Sequence, residues 1–160
     1  MGGLHAGHAA LIRQGASEAE RRGTACVATV FVNPTQFDVS TDFDRSPRDV
    51  EADAAIAAEA GAAIVYAPTV DEVYPHGPPP PPPDLPDQAQ GKGLEDAFRP
   101  GHFAGVVQVL GRLYELTEPG AAIYGEKDWQ QLQVARAMAR TRQLPIDILA
   151  GPTVRDADGL

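Results

Sequence analysis

Basic residues are scarce in this chain. It has 13 lysine and arginine residues against 22 aspartate and glutamate residues, which gives a formal net charge of −9 at pH 7. Sequence-independent binding of nucleic acid needs a basic face that neutralises phosphates, so we expect no nucleic-acid partner. A triphosphate site stays open, because a few local cations are enough for one small polyanion.

Cysteine and long apolar runs are also scarce. The single cysteine, Cys26, lies in an apolar run at residues 25–32, where a small buried hydrophobe is its expected role. One cysteine cannot form an internal disulfide, which fits a reducing compartment. No apolar run reaches the length of about 18 residues that a membrane helix needs, and no signal peptide is visible. We therefore expect a cytoplasmic enzyme domain without a membrane partner.

Helix and strand patterns alternate along the chain. The predicted order is a helix at 8–22 closed by Gly23, a buried strand at 25–32, an alanine-rich helix at 49–60, a strand at 62–67, a helix at 103–115, a strand at 121–124, a helix at 128–143 and a strand at 145–149. Such alternation predicts one α/β domain with a parallel sheet and helices on both faces. Asp128 and Gln131 have the spacing of a capping box at the last helix.

Six consecutive prolines at residues 78–83 interrupt this pattern. Proline cannot continue a helix or a central strand, so the run predicts a polyproline II rod of about 18 Å. A stiff surface connection is the favoured interpretation. A ligand for a proline-binding module is the alternative.

The first eight residues, MGGLHAGH, form the strongest candidate site. His5 and His8 are three residues apart, so at a helix start they share one face. The glycines allow close approach of the backbone, and a helix N-terminus offers free N–H groups and a partial positive charge to a phosphate. Taken alone, the pair is more commonly explained by one exposed histidine beside a satisfied one, and a metal site is a further alternative.

The pattern also resembles the His-x-Gly-His element of the nucleotidyltransferase superfamily, and four further segments resemble one family within it. These segments are FVNPTQF at 31–37, RPGHFAGV at 99–106, YGEKDWQQL at 124–132 and GPTVRDADGL at 151–160. Five motifs in this order are similar to those of the pantothenate synthetase family. The resemblance implies a Rossmann-like fold and the Mg²⁺-dependent, ATP-driven ligation of pantoate to β-alanine through a pantoyl-adenylate, by a homodimer.

The resemblance also implies roles for individual residues. His8 is the expected proton donor to the leaving phosphate, His5 its partner in charge stabilisation and Lys127 a phosphate ligand. The ATP-binding set is Met1, Gly2, Gly3, Leu4, His5, Ala6, Gly7, His8, Gly125, Glu126, Lys127, Asp128 and Val154. The expected pantoate-binding set is Asn33, Gln36 and Gln131. From the residues alone, Asn33 also fits a turn asparagine, Gln131 a helix cap, and Lys127 a surface charge.

The chain departs from the family at several points. The family's first strand would precede Met1 and its C-terminal lobe would follow Leu160, so the resemblance implies an N-terminal nucleotide-binding domain at 1–160 that is truncated at both ends. Ser46 replaces a family tyrosine. Asp53 is interpreted as a carboxylate near the metal or as a solvated helix residue. Two rival functions stay open: another nucleotidyltransferase, such as a cytidylyltransferase, or an inactive nucleotide-binding module.

Overall fold

The computed structural model describes residues 3–36 and 49–159. Ser46, Met1 and Gly2 lie outside these ranges. The longer helices are α1 (Ala6–Arg22), α2 (Val50–Glu59), α5 (His102–Thr117) and α6 (Trp129–Thr141), and two short ones are α3 (Val70–Val73) and α4 (Glu95–Phe98). The strands are β1 (Val27–Thr29), β2 (Ile64–Tyr66), β3 (Ala121–Gly125) and β4 (Asp147–Gly151).

Helix α1 begins and ends where the sequence supplies its caps. His5 is the N-cap, and Gly23 closes the helix in the left-handed conformation (φ 68°), as a C-cap glycine is expected to do. Its buried residues Ala9, Ile12 and Ala19 lie on one side. The helix thereby packs against a core cluster built with Ala28 of β1 and presents its N-terminal turn at the edge of the core.

The strands are parallel, as expected, and within the described residues they form two pairs. β1 pairs with β2 in parallel, β3 pairs with β4 in parallel, and the two pairs are not hydrogen-bonded to each other. A cavity of about 770 Å³ runs between the unpaired edges of β1 and β3. The side chains that line it are largely apolar, so both edges face a gap of a kind that interior packing normally fills.

Helices cover both faces of the β3–β4 pair, as the alternation predicted. Ile123 faces α1, where it lies close to Gly15, and the next residue, Tyr124, packs with the α5–α6 cluster around Val134 and Met138. Successive strand residues point to opposite faces, so α1 and α6 lie on opposite sides. The second pair, β1–β2, is covered by α1 and α2 through Ala28 and Ala57.

Three local predictions need correction. The strands at 25–32 and 62–67 are shorter than expected, because the chain leaves the ladder soon after Thr29, where Val30 donates a last bond to Tyr66 before the turn at Asn33. The capping box at Asp128 is absent, since its side chain makes no cap bond.

Among the described residues, no helix is both long and apolar enough to cross a membrane.

The proline run is a surface connection in the described structure, as favoured. Most of residues 78–83 are exposed, and Gln108 of α5 donates to the carbonyl oxygens of Pro79 and Pro80, at 2.6 and 2.9 Å. Proline has no backbone N–H, so the carbonyl oxygens of an extended proline run find no backbone donor within the run. A side-chain amide is therefore a suitable anchor for them. The run is therefore fixed to α5 at two successive carbonyls.

Candidate active site

The two histidines of the N-terminal motif cap the same helix reciprocally. The backbone N–H of Gly7 donates to His5 Nδ1 at 3.1 Å, and the backbone N–H of His5 donates to His8 Nδ1 at 3.3 Å. Their ring centroids are 4.0 Å apart. A Cβ at Gly7 would lie 3.0 Å from His5 Cε1, so a larger residue there would displace the His5 ring by a few tenths of an ångström. The motif therefore builds one rigid pair of imidazoles.

This capping arrangement fixes the tautomers of both rings. In each ring Nδ1 accepts a backbone N–H, so the proton of the neutral imidazole lies on Nε2. Burial lowers the pKa of His8, and His5 lowers it further, while Asp53 and Asp128 act in the opposite direction with smaller effect. His8 is therefore neutral at pH 7 and offers Nε2–H as a hydrogen-bond donor. This differs from the partly protonated His8 that the ordinary histidine pKa predicts.

Most of the predicted site residues meet along one cavity. The lining includes His5, Gly7, His8, Asn33, Gly125, Lys127, Asp128, Gln131 and Val154. The segments that carry them follow the carboxyl ends of β1, β3 and β4 or begin α1, which is where ligands of α/β proteins bind. Gly3, Leu4, Ala6 and Glu126 do not line it. The side chain of Gln36 lies outside the described residues, although its backbone ends a short 3₁₀ turn at Pro34–Gln36.

Lys127 and Gln131 are both available to a ligand. Lys127 is exposed and pairs with the exposed carboxylate of Asp128 at 3.2 Å. A pair of this kind contributes little stability, so a phosphate can replace the carboxylate at small cost. The capping box that would pair Asp128 with Gln131 is not formed, because the side chain of Asp128 makes no cap bond. The partly buried amide of Gln131 lines the cavity instead.

Asn33 has mostly structural contacts. Its Oδ1 accepts from the hydroxyls of Thr35 and Tyr74, each at 3.0 Å, and from the backbone of Thr35, while its Nδ2 donates to Gly105 O at 3.2 Å. The asparagine is buried, at 3% exposure. It therefore holds the turn at Pro34–Gln36 against α5.

Gly105 shows how close this contact is. A Cβ there would meet the backbone oxygen of Thr35 at 2.5 Å, which is too close for any residue with a side chain. Helix α5 thus touches the turn through bare backbone. Sequence reasoning placed Gly105 inside a family motif without assigning it this role. A glycine within an apolar helix pattern is the signal that indicates such close packing.

The interpretation of Asp53 as a solvated helix residue is wrong, while its place near a metal stays a prediction. Asp53 is 2% exposed, and its side chain accepts the backbone N–H groups of Gly3 and Leu4, at 3.0 and 2.6 Å. Gly3 and Leu4 belong to the expected ATP-binding set, and their backbone N–H groups are bound by this carboxylate. The position of Asp53 four residues before the buried Ala57 places it on the apolar face of α2, which is the sequence signal for a buried, partnered acid.

The described residues do not form a metal centre. No group of three histidine, cysteine or acidic side chains within 3–36 and 49–159 could hold an ion. Magnesium commonly keeps several waters and binds substrate phosphates together with one or two carboxylates. A site without three protein donors is therefore compatible with an ion that a nucleotide carries.

Parallel strand pairs covered by helices, with a paired-histidine turn at the carboxyl edge, define a Rossmann-like nucleotidyltransferase domain. The family model for pantoate-beta-alanine ligase matches residues 1–160. The chain therefore belongs to the pantoate–β-alanine ligase family.

Relatives and solved structures agree with this assignment. The chain is 50% identical to the pantothenate synthetase of Streptomyces avermitilis and 48% identical to that of Thiobacillus denitrificans, over 100% of this chain and 47% and 54% of those proteins. It superposes on the pantothenate synthetase of Thermus thermophilus with a TM-score of 0.84 at 45% identity, covering 56% of that chain. It also superposes on the pantoate-beta-alanine ligase of Francisella tularensis, solved with beta-gamma ATP and beta-alanine, with a TM-score of 0.88 at 31% identity, covering 59%. The chain spans about half the length of the relatives that it matches.

Proposed function

We propose that this chain forms the nucleotide- and pantoate-binding part of an AMP-forming ligase that joins pantoate to β-alanine. The observation that carries the proposal is the shared cavity. Two imidazoles with Nε2–H donors, the ammonium of Lys127 and the amide of Gln131 line it together. A cytidylyltransferase would need the histidine turn alone and would leave Gln131 without a role.

In the first step, a carboxylate oxygen of pantoate attacks the α-phosphorus of ATP. The bond from that phosphorus to the bridging oxygen breaks, and pyrophosphate leaves. Negative charge grows on the leaving oxygens, and fixed N–H donors stabilise it without reorganising. We assign this role to the Nε2–H groups of His5 and His8, with Lys127 binding the same phosphates. Neutral His8 acts as a hydrogen-bond donor here, in place of the proton donor suggested by the sequence.

In the second step, the amine of β-alanine attacks the acyl carbon of the pantoyl-adenylate, and AMP leaves as pantothenate forms. The acyl-adenylate must be kept from water meanwhile. Gln131, Gln36 and Asn33 are the proposed pantoate ligands. Mg²⁺ bound to the triphosphate supplies further charge neutralisation. A cytoplasmic homodimer is the proposed form of the whole enzyme.

The test is a chimera in which residues 1–160 replace the matching segment of the Streptomyces avermitilis relative. Pyrophosphate release is measured with ATP and pantoate, then AMP and pantothenate after addition of β-alanine. We expect pyrophosphate release that depends on pantoate, and a matched chimera with Gln131→Ala should need far more pantoate. A correctly folded chimera that releases pyrophosphate only with another acceptor, or not at all, would overturn the proposal.

The chain by itself is a separate question for the same assay. The chain spans about half the length of its relatives. We expect the 160-residue chain to show low or no ligase activity while still binding ATP. Normal turnover by this chain would contradict that expectation.

A further inference from the structure

Asp53 connects helix α2 to the segment that leads into the histidine turn. It lies one turn inside α2, and its two oxygens are used separately: Oδ1 accepts from Leu4 N at 2.6 Å and Oδ2 from Gly3 N at 3.0 Å. Hydrogen bonds to an ionised acceptor are about twice as strong as neutral ones. The residues that they hold come immediately before His5.

The same segment is held a second time, through packing. The side chain of Leu4 is 7% exposed and lies in the cluster that contains Ala57 and Ala60 from α2 and its C-terminal cap. Gly3 adopts a left-handed backbone (φ 65°), a conformation that glycine reaches without strain. Backbone and side chain are thus both fixed to α2 at residues 3 and 4. His5 follows with an extended backbone (φ −142°, ψ −178°), so its ring position depends directly on Leu4.

The carboxylate of Asp53 lies close to a proposed phosphate site, although its negative charge repels phosphate. A specific structural role is therefore needed to explain it. Its charge acts to raise the pKa of His8, but burial and His5, which lower that pKa, have the larger effect. Burial and two amide partners make it unsuitable as a metal ligand. A buried charge is retained only where its hydrogen bonds compensate its desolvation, and these bonds end on the loop before the histidines.

We propose that Asp53 is a positioning residue for the reaction, which holds the Gly3–Leu4 backbone so that the Nε2–H donors of His5 and His8 face the leaving phosphates. This inference rests on the proposed function for its chemical step, but not for its geometry. Displacements of about 1 Å at reacting groups can cost about 10²-fold in rate. The expected loss for Asp53→Asn is about 10- to 100-fold in adenylate formation, with a change of less than about threefold in the KM for ATP.

The geometric part is tested on the 160-residue chain, without any activity. Proton–nitrogen correlation spectra of the imidazoles report the tautomer of each histidine. We expect His5 and His8 to be Nε2–H tautomers in the unsubstituted chain and to change their tautomer populations in Asp53→Asn. His76 and His102 serve as internal controls. Glu51→Gln, an exposed acid in the first turn of the same helix, is the matched control and should change nothing.

The kinetic part uses the chimera, below the melting temperature of each variant and with rates expressed per folded molecule. If Asp53→Asn unfolds the 160-residue chain, the spectra are recorded on the chimera with the same substitution. Unchanged spectra, an unchanged rate per folded molecule, or unfolding of both proteins would overturn the positioning role. A parent chimera that forms no adenylate would remove the proposed function, while the spectra would still decide whether Asp53 fixes the two imidazoles.

Discussion

Replacing His8 separates its two tasks, because they use different ring nitrogens. Nδ1 accepts the backbone N–H of His5 in the helix cap, while Nε2–H is the proposed donor to the phosphates. His8→Ala removes both. In His8→Asn the amide oxygen is the same number of bonds from the backbone as Nδ1, so it can accept the same cap bond. The asparagine has no atom at the position of Nε2.

The two effects have different magnitudes. Loss of a helix-capping side chain typically costs about 0.5–2 kcal/mol, and we expect His8→Ala to lie near the lower end because His5 still caps through Nδ1. Loss of one preorganised donor to developing charge costs about 10²–10³ in rate, roughly 3–4 kcal/mol. His8→Asn should show the full rate loss and less than about half of the stability loss.

The assay is single-turnover pantoyl-adenylate formation by the chimera at saturating ATP, beside an equilibrium ATP titration and urea unfolding. ATP affinity should fall less than the rate, because Lys127 and Mg²⁺ still hold the triphosphate. A His8→Asn variant with the parental rate would show that the cap, and not Nε2–H, is what the reaction needs. An unchanged rate for His8→Ala with a large loss of affinity would make His8 a binding residue.

Three further predictions follow from the described structure. Burial lowers the pKa of His8, so kcat/KM for adenylate formation should stay level as pH rises from about 6.5 to about 8; a tenfold fall per pH unit in this range would indicate a protonated donor. Gly105→Ala should cost about 1–3 kcal/mol in urea unfolding and raise the KM for pantoate, because its Cβ meets Thr35; the control Gly111→Ala meets only the end of a flexible arginine, and equal effects of both would contradict this. The unpaired strand edges should make the 160-residue chain associate, and Val27→Lys on β1 should reduce this; sedimentation showing a stable monomer would refute it.

Sequence reasoning was most successful where one short segment contains the whole signal. A helix at 8–22 was predicted from its apolar spacing and from Gly23, and the observed helix, Ala6–Arg22, has local caps at both ends. The meeting of His5 with His8 also follows from helical spacing alone. The shared cavity required knowledge of the family, since nothing local relates Lys127 to the N-terminal turn.

What the sequence could not predict depends on contacts between distant segments. Asp53 is 50 residues from Gly3 and 49 from Leu4, and its hydrogen bonds to both use backbone N–H groups of the expected ATP-binding set inside the protein. The neutral state of His8 depends on its burial and on the nearby His5 ring. The pairing of β1 with β2 and of β3 with β4 could not be read from strand alternation, which does not say which strands are neighbours. These outcomes require the positions of several elements at once.

The gap between the two strand pairs has a consequence for how binding and cohesion are coupled. Each pair is built mainly from neighbouring segments, and helices α1 and α5 hold the pairs together across the cavity. The histidine turn begins α1, and Gly105 of α5 contacts the turn that ends at Gln36. A molecule that touches the histidines and Gln131 together therefore links the start of α1 to α6, which packs on β3 and β4. By mass action, its affinity for the folded arrangement adds directly to the free energy that stabilises that arrangement.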